Sequence, residues 1–168
     1  MIARICGLLV YKSPTYVIVD AHGVGYRVFV PLTTFYELPD AGQPVTLNIH
    51  THVKQDAINL FGFYASEERD IFQLLLAVNG IGPKLAVNIL SGIAAGDLLR
   101  AVSQGNLKRL VTIPGIGRKM AERIILELKD RVLKLGAQEM MERRLIKDSA
   151  PDILMEDALS ALVNLGYK

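Results

Sequence analysis

A chain of 168 residues, 51% of them hydrophobic, holds one ordinary domain or two small ones and has ample material for a core, which excludes an intrinsically disordered protein. Its formal net charge of +2 excludes an argument for nucleic-acid binding from bulk charge, so any such argument must rest on where the charges lie. The single cysteine, Cys6, excludes an internal disulfide, and no basic leader or span-length apolar run is present, so the expected location is cytoplasmic, with no membrane partner.

Residues 1–63 are rich in β-branched and aromatic side chains punctuated by turn signals. Ile2 to Val10, Tyr16 to Asp20, Gly25 to Val30, Val45 to Val53 and Ala57 to Phe63 read as five strands. Five short strands predict a small barrel of the oligonucleotide-binding type. Cys6 lies in an apolar run and is expected in the core. Tyr26, Phe29, Phe61 and Phe63 are chemically able to stack on bases, but core packing is the preferred reading for all four. His50 and His52 alternate along one strand and share a face, yet no third ligand stands near them in sequence, so no metal is assigned.

From residue 64 the pattern turns helical and continues to Leu135. Ser66, followed by Glu67 and Glu68, is a helix start, and Ile71, Phe72, Leu74, Leu75 and Val78 form its apolar face. Gly92 and Gly105 mark breaks, Asp97 and Asn106 are candidate caps, and Gly136 is a stop. This stretch contains one short phrase written twice. Leu76-Ala77-Val78-Asn79-Gly80-Ile81-Gly82-Pro83-Lys84-Leu85-Ala86 is echoed by Val111-Thr112-Ile113-Pro114-Gly115-Ile116-Gly117-Arg118-Lys119-Met120-Ala121. Each copy reads as a helix end, a Gly-Ile-Gly turn and the start of a second helix: a helix-hairpin-helix.

The glycines suit positive φ and close approach to the backbone, the intervening Ile tucks between the helices, and Pro83 fits the first helical position. The unpaired N–H groups opening the second helix converge with the positive end of its dipole on one point, which is a phosphate site. The candidate DNA-binding residues are Gly80, Ile81, Gly82 and Lys84 in the first copy and Gly115, Ile116, Gly117, Arg118, Lys119 and Arg123 in the second. A single Gly-Ile-Gly is equally well a plain tight turn. Two copies with nearby lysines favour DNA, as does the local charge: Lys108 to Arg131 holds seven basic and three acidic residues.

Beyond Gly136 the composition changes. Residues 138–152 read as a flexible linker, and Ile153 to Leu165 as one amphipathic helix that cannot bury its apolar face alone. The fold class is therefore α+β and multidomain: a five-stranded barrel over 1–63, an all-α double helix-hairpin-helix domain over 64–137, the linker, and a partial helical domain over 153–168.

Met1-Ile2, Gly23-Val24-Gly25-Tyr26, Phe35-Tyr36-Glu37-Leu38, Leu60-Phe61-Gly62-Phe63, Asn79 to Lys84, Ile113 to Gly117 and Ala121-Glu122-Arg123 together resemble the RuvA family of bacterial Holliday-junction binding subunits. The resemblance spans nearly the whole chain. It implies a homotetramer, alone or paired with a second, holding four-way junction DNA open and flat. It also implies the RuvB motor as partner of a third domain, here through Leu159, Leu162 and Leu165, and the RuvC resolvase as a further partner. At the barrel turn the family carries an acidic pin with two neighbouring carboxylates; this chain has Gln55 and Asp56, so one is missing. The later helices of the third domain are expected to be absent, and the resemblance supports junction binding better than motor engagement.

Two rivals compete. Leu110 to Ala121 also looks like the hairpin of bifunctional base-excision glycosylases, in which the lysine matching Lys119 attacks the sugar. Those enzymes place a catalytic Asp where this chain has Ala137, so no catalytic residue is assigned. The other rival is a generic module that binds plain duplex. No P-loop occurs, no cofactor is expected, and ATP-driven movement must come from a partner.

Overall fold

Alternation of apolar and polar positions builds the first half of the chain. The computed structural model describes residues 1–129. Strands β1 (Arg4–Lys12), β2 (Tyr16–Ala21), β3 (Val24–Phe29), β4 (Pro44–Val53) and β5 (Ile58–Phe63) form a closed barrel in the order β1-β2-β3-β5-β4. All neighbours are antiparallel except β3 and β5, which run parallel with Val28 opposite Leu60 and Phe29 opposite Phe61. The inward positions Ile5, Leu9, Val17, Val19, Val28, Leu47, Ile49 and Leu60 fill the interior. Closure gives every strand a partner on both sides, as expected of an oligonucleotide-binding barrel.

All five predicted strands are present, with ends moved by one or two residues. Cys6 is a correction: it is exposed, because Ile5 takes the inward place and Cys6 the outward one, where it accepts a hydrogen bond from Thr46 Oγ1 at 3.4 Å. The run that suggested core is apolar on both faces, with Leu8 and Val10 also exposed. Phe61 and Phe63 are buried as predicted, whereas Tyr26 and Phe29 are only half-buried.

A short helix that the sequence reading left out, α1 (Leu32–Glu37), crosses between β3 and β4. It ties the barrel to the helical half. Thr34 Oγ1 donates to buried Glu68 at 2.6 Å and accepts from the Tyr64 N–H at 3.2 Å. The Leu32 N–H donates to Ser91 Oγ.

The helices that follow are α2 (Ser66–Leu76), α3 (Pro83–Gly92), α4 (Ala95–Ser103), α5 (Leu107–Val111) and α6 (118–129). Phe72 of α2 is fully buried against the barrel, its ring 4.9 Å from Phe63, 5.3 Å from Phe61 and 5.2 Å from His50. Burial, reinforced by neighbouring His52, holds the His50 imidazole below its ordinary pKa. Ile71, Leu75 and Val78 are buried as expected, and Leu74 is half-buried.

Ser66 starts α2 as expected, behind the cap Ala65, which has no side-chain acceptor. One predicted cap is corrected. Asp97 lies inside the first turn of α4, behind the cap Ala94, and pairs with Arg100, whose hydrogen bond holds the carboxyl below its ordinary pKa. Asn106 caps α5 as predicted, accepting from the Arg109 N–H at 3.1 Å. The readings of Gly136, the linker, the last helix and Leu159, Leu162 and Leu165 lie outside the described residues.

Replacing Thr34 with Val keeps its shape but leaves a buried carboxylate and a backbone N–H without their partner. At roughly 1–3 kcal/mol per unmet group, urea unfolding is expected to show a loss of about 2–4 kcal/mol, with Thr34→Ser close to wild type. An unchanged midpoint for Thr34→Val would remove the hydroxyl from the account of how α1 and α2 are joined.

Candidate nucleic-acid interface

The repeated phrase folds into two matching hairpins, α2 with α3 and α5 with α6, linked by α4. In the first, the Ile81 N–H donates to Val78 O at 3.1 Å and the Ala86 N–H to Gly82 O at 3.0 Å. In the second, the Ile116 N–H donates to Ile113 O at 3.1 Å and the Ala121 N–H to Gly117 O at 2.9 Å. Ile81 and Ile116 are buried between their helices, as predicted.

The two glycines of each turn do different things. Gly80 and Gly115 carry φ of +90° and +88°, a region that L side chains rarely adopt. Gly82 is extended, at φ −94° and ψ 172°, and caps α3, with Pro83 beginning the helix. A Cβ at Gly82 or Gly117 would meet nothing within 4 Å. The space over both helix starts is therefore open, and the first-turn N–H groups face it without an intrahelical acceptor. That arrangement suits an anion.

The hairpins also hold each other. A Cβ on Gly80 would lie 3.1 Å from Met120 Cε, and one on Gly115 would lie 3.2 Å from Leu85 Cδ1. Met120 and Leu85 occupy equivalent places in the two copies, so the contact is reciprocal, as a local twofold axis between the hairpins produces.

The predicted cations divide by environment. Lys84 and Lys119 are exposed, and among the described residues neither forms an ion pair. Arg118 pairs with Glu122 at 3.0 Å on an exposed face, a contact of little strength. Arg123 is turned onto the other hairpin: its Nη1 donates to Asn79 O at 3.1 Å, while Glu127, 3.9 Å from Arg123, accepts from the Asn79 N–H at 3.2 Å. One residue pair of α6 thus grips both backbone groups of the first turn. The only trace of this in the sequence is the i,i+4 spacing of Arg123 and Glu127.

Gln55 and Asp56 are both exposed in the turn joining β4 to β5, closed by the Lys54 N–H donating to Ala57 O at 2.8 Å. No group of three or more His, Cys, Asp or Glu side chains suited to a metal occurs among the described residues. No single described helix is long and apolar enough to cross a membrane.

A closed oligonucleotide-binding-type barrel carrying tandem helix-hairpin-helix turns with open helix starts defines a class of DNA-binding proteins. Comparison narrows the class. Residues 1–62 match the RuvA N terminal domain, and residues 72–130 match the SAM-like helix-hairpin-helix tandem. The whole chain is 52% identical to the Holliday junction branch migration complex subunit RuvA of Geobacter metallireducens and 54% identical to that of Geotalea daltonii, covering 84% of each. It is 49% identical to that of Syntrophus aciditrophicus, covering 83% of that relative. The chain belongs to the RuvA family.

The grip of α6 on Asn79 has a local signature. Glu127→Ala removes the acceptor of the Asn79 N–H, and exchange of that amide is expected to speed up by about tenfold, the equivalent of roughly 1.5 kcal/mol for a hydrogen bond to a charged group. Glu127→Gln keeps an acceptor and should stay near wild type. Equal protection in all three proteins would show that the contact does not restrain the turn.

Proposed function

We propose that this chain is the non-enzymatic, junction-binding subunit of a branch-migration complex. It binds a Holliday junction as a homotetramer, alone or paired with a second, holds it open and flat, and targets the RuvB motor to it, with RuvC as a further partner. The observation that carries the reading is the pair of open, glycine-capped helix starts, each with a lysine close by that forms no ion pair among the described residues: Lys84 in one hairpin, Lys119 in the other. Such sites take phosphates without reading bases. The family's association with a branch migration complex supplies the junction as the target. A closed four-way assembly follows from the junction's four equivalent arms.

The structure sharpens the test. Because a side chain at Gly82 or Gly117 enters open space at an ordinary φ, Gly82→Val and Gly117→Val are expected to fold normally and to bind an immobile junction at least tenfold more weakly. The wild-type association constant should fall steeply with salt, by about 0.9 log unit per log unit of salt for each phosphate neutralised, and Lys119→Gln should shallow that slope. Affinity that ignores salt, or that is equal for junction and plain duplex, would overturn the reading.

The exposed turn at Gln55 and Asp56 has a separate part in the proposal. A tetramer brings four Asp56 carboxylates to the junction centre, where repulsion of strand phosphates in a partly desolvated space reaches a few kcal/mol. Asp56→Asn is expected to tighten junction binding and narrow the preference over duplex, while Gln55→Glu widens it at some cost in affinity. Light scattering of the same samples should give four copies or eight per junction. Unchanged affinity ratios in both variants would remove the turn from the mechanism.

A further inference from the structure

Beside the start of α3, where β4 and β5 reach out towards their turn, lies a cleft of about 310 Å3. Phe29, Phe61, His52, Asn59, Lys54 and Lys84 line it, with Gly82 and Pro83. The phosphate reading of the first hairpin uses Lys84 and gives no part to the half-buried rings of Phe29 and His52. Phe61 is buried and held by Phe72 at 5.3 Å. Phe29, half-buried, sits 5.6 Å from Phe61, and His52 meets Phe61 edge-on at 6.4 Å. The cleft thus combines planar rings, one amide able to donate and accept, and two ammonium groups. Among the described residues neither lysine has a carboxylate partner.

A purely apolar occupant would leave both lysines unused, and a bare phosphate would leave the rings unused. The chemistry that uses both is a flat heteroaromatic joined to an anion, which is a nucleotide. A base inside a duplex is stacked on its neighbours and presents no face, so the occupant must have left its stack. Lys54 connects the cleft to the turn bearing Asp56. Under the function proposed above, that turn stands where strands exchange and bases change partners.

Resting on that reading, we propose that the cleft receives one unpaired nucleobase of an exchanging strand, against Phe29 and His52, with its phosphate near Lys54 and Lys84. Holding the base there lowers the cost of the unpaired intermediate between successive pairings. The histidine pair singled out in the sequence thereby splits: His50 packs on Phe72, and His52 faces the cleft.

The test is a thermodynamic cycle between protein and DNA. Two immobile junctions are compared, one intact and one carrying an abasic nucleotide at the pair nearest the exchange point of each arm. Each is titrated with the full-length wild type, Phe29→Leu and His52→Ala at one salt concentration, after thermal unfolding has checked each variant. Wild type is expected to bind the intact junction more tightly, by roughly tenfold for each cleft that holds a base, the scale of one base stacked on an aromatic ring. Phe29→Leu should bind both junctions alike, with an affinity for the abasic one equal to that of wild type. If Phe29→Leu fails to fold, His52→Ala carries the same comparison. A wild type that binds both junctions equally, or losses that simply multiply, overturns the base site. Either result leaves junction binding itself standing, whereas a wild type with no preference for junction over duplex removes the underlying reading as well.

Discussion

The packing of Phe72 against the barrel is the contact on which the rest of the structure depends. Its ring is fully enclosed, sharing surfaces with Phe61, Phe63 and His50, so α2 leaves the barrel in one direction only. Everything after α2 inherits that direction. The first hairpin turn sits at the end of α2, and the second is locked to the first through Met120 over Gly80 and Leu85 over Gly115. Truncating Phe72 would open a cavity of the kind that costs about 3–5 kcal/mol in a well-packed core, and would leave the contacts of α1 with Glu68 and Ser91 to hold the helical half to the barrel.

Much of the fold was legible because its elements are local. Strand alternation and the doubled glycine phrase are periodic signals within short windows, and they led to the barrel and the two hairpins. The outward Cys6, helix α1 and the placement of Arg123 share a cause, a contact between distant residues, whereas Asp97 is drawn away from the cap position by Arg100 within its own helical turn. Cys6 faces outward because the partner strand sets which face of an apolar run turns in. Helix α1 has no strong start signal of its own; its cap is Pro31 without a side-chain bond, and it is held by Glu68 and Ser91, distant in sequence. The sequence marks Arg123 only as a basic residue near a turn. Its use on Asn79, 44 residues earlier, becomes visible only once the hairpins meet.

The turns also show how one residue type serves two physical ends at a spacing of two. Gly80 and Gly115 are required by backbone conformation and by the neighbouring hairpin pressing on them. Gly82 and Gly117 are required by neither, since their φ is ordinary and the space above them is empty. A glycine that folding does not need, placed at a helix start and repeated, is the strongest local argument that something outside the chain approaches there.

The β4–β5 hairpin can be viewed as a loaded beam. Its clamps are unequal: the start of the chain holds β4 as far as Thr51, through the Ile49 N–H on Ala3 O and Thr51 Oγ1 on the backbone of Ile2, and β3 pairs with β5 only at Leu60 and Phe61. Beyond them the ribbon holds itself, through His52 opposite Asn59 and Val53 opposite Ile58, before the turn at Gln55 and Asp56. At about 3.3 Å per residue the overhang is roughly 7 Å, short enough to resist bending. A force on its tip is therefore delivered to its root, at the rung where His52 and Asn59 stand. The tip and the cleft are two ends of one lever, and what strains the one must be felt at the other.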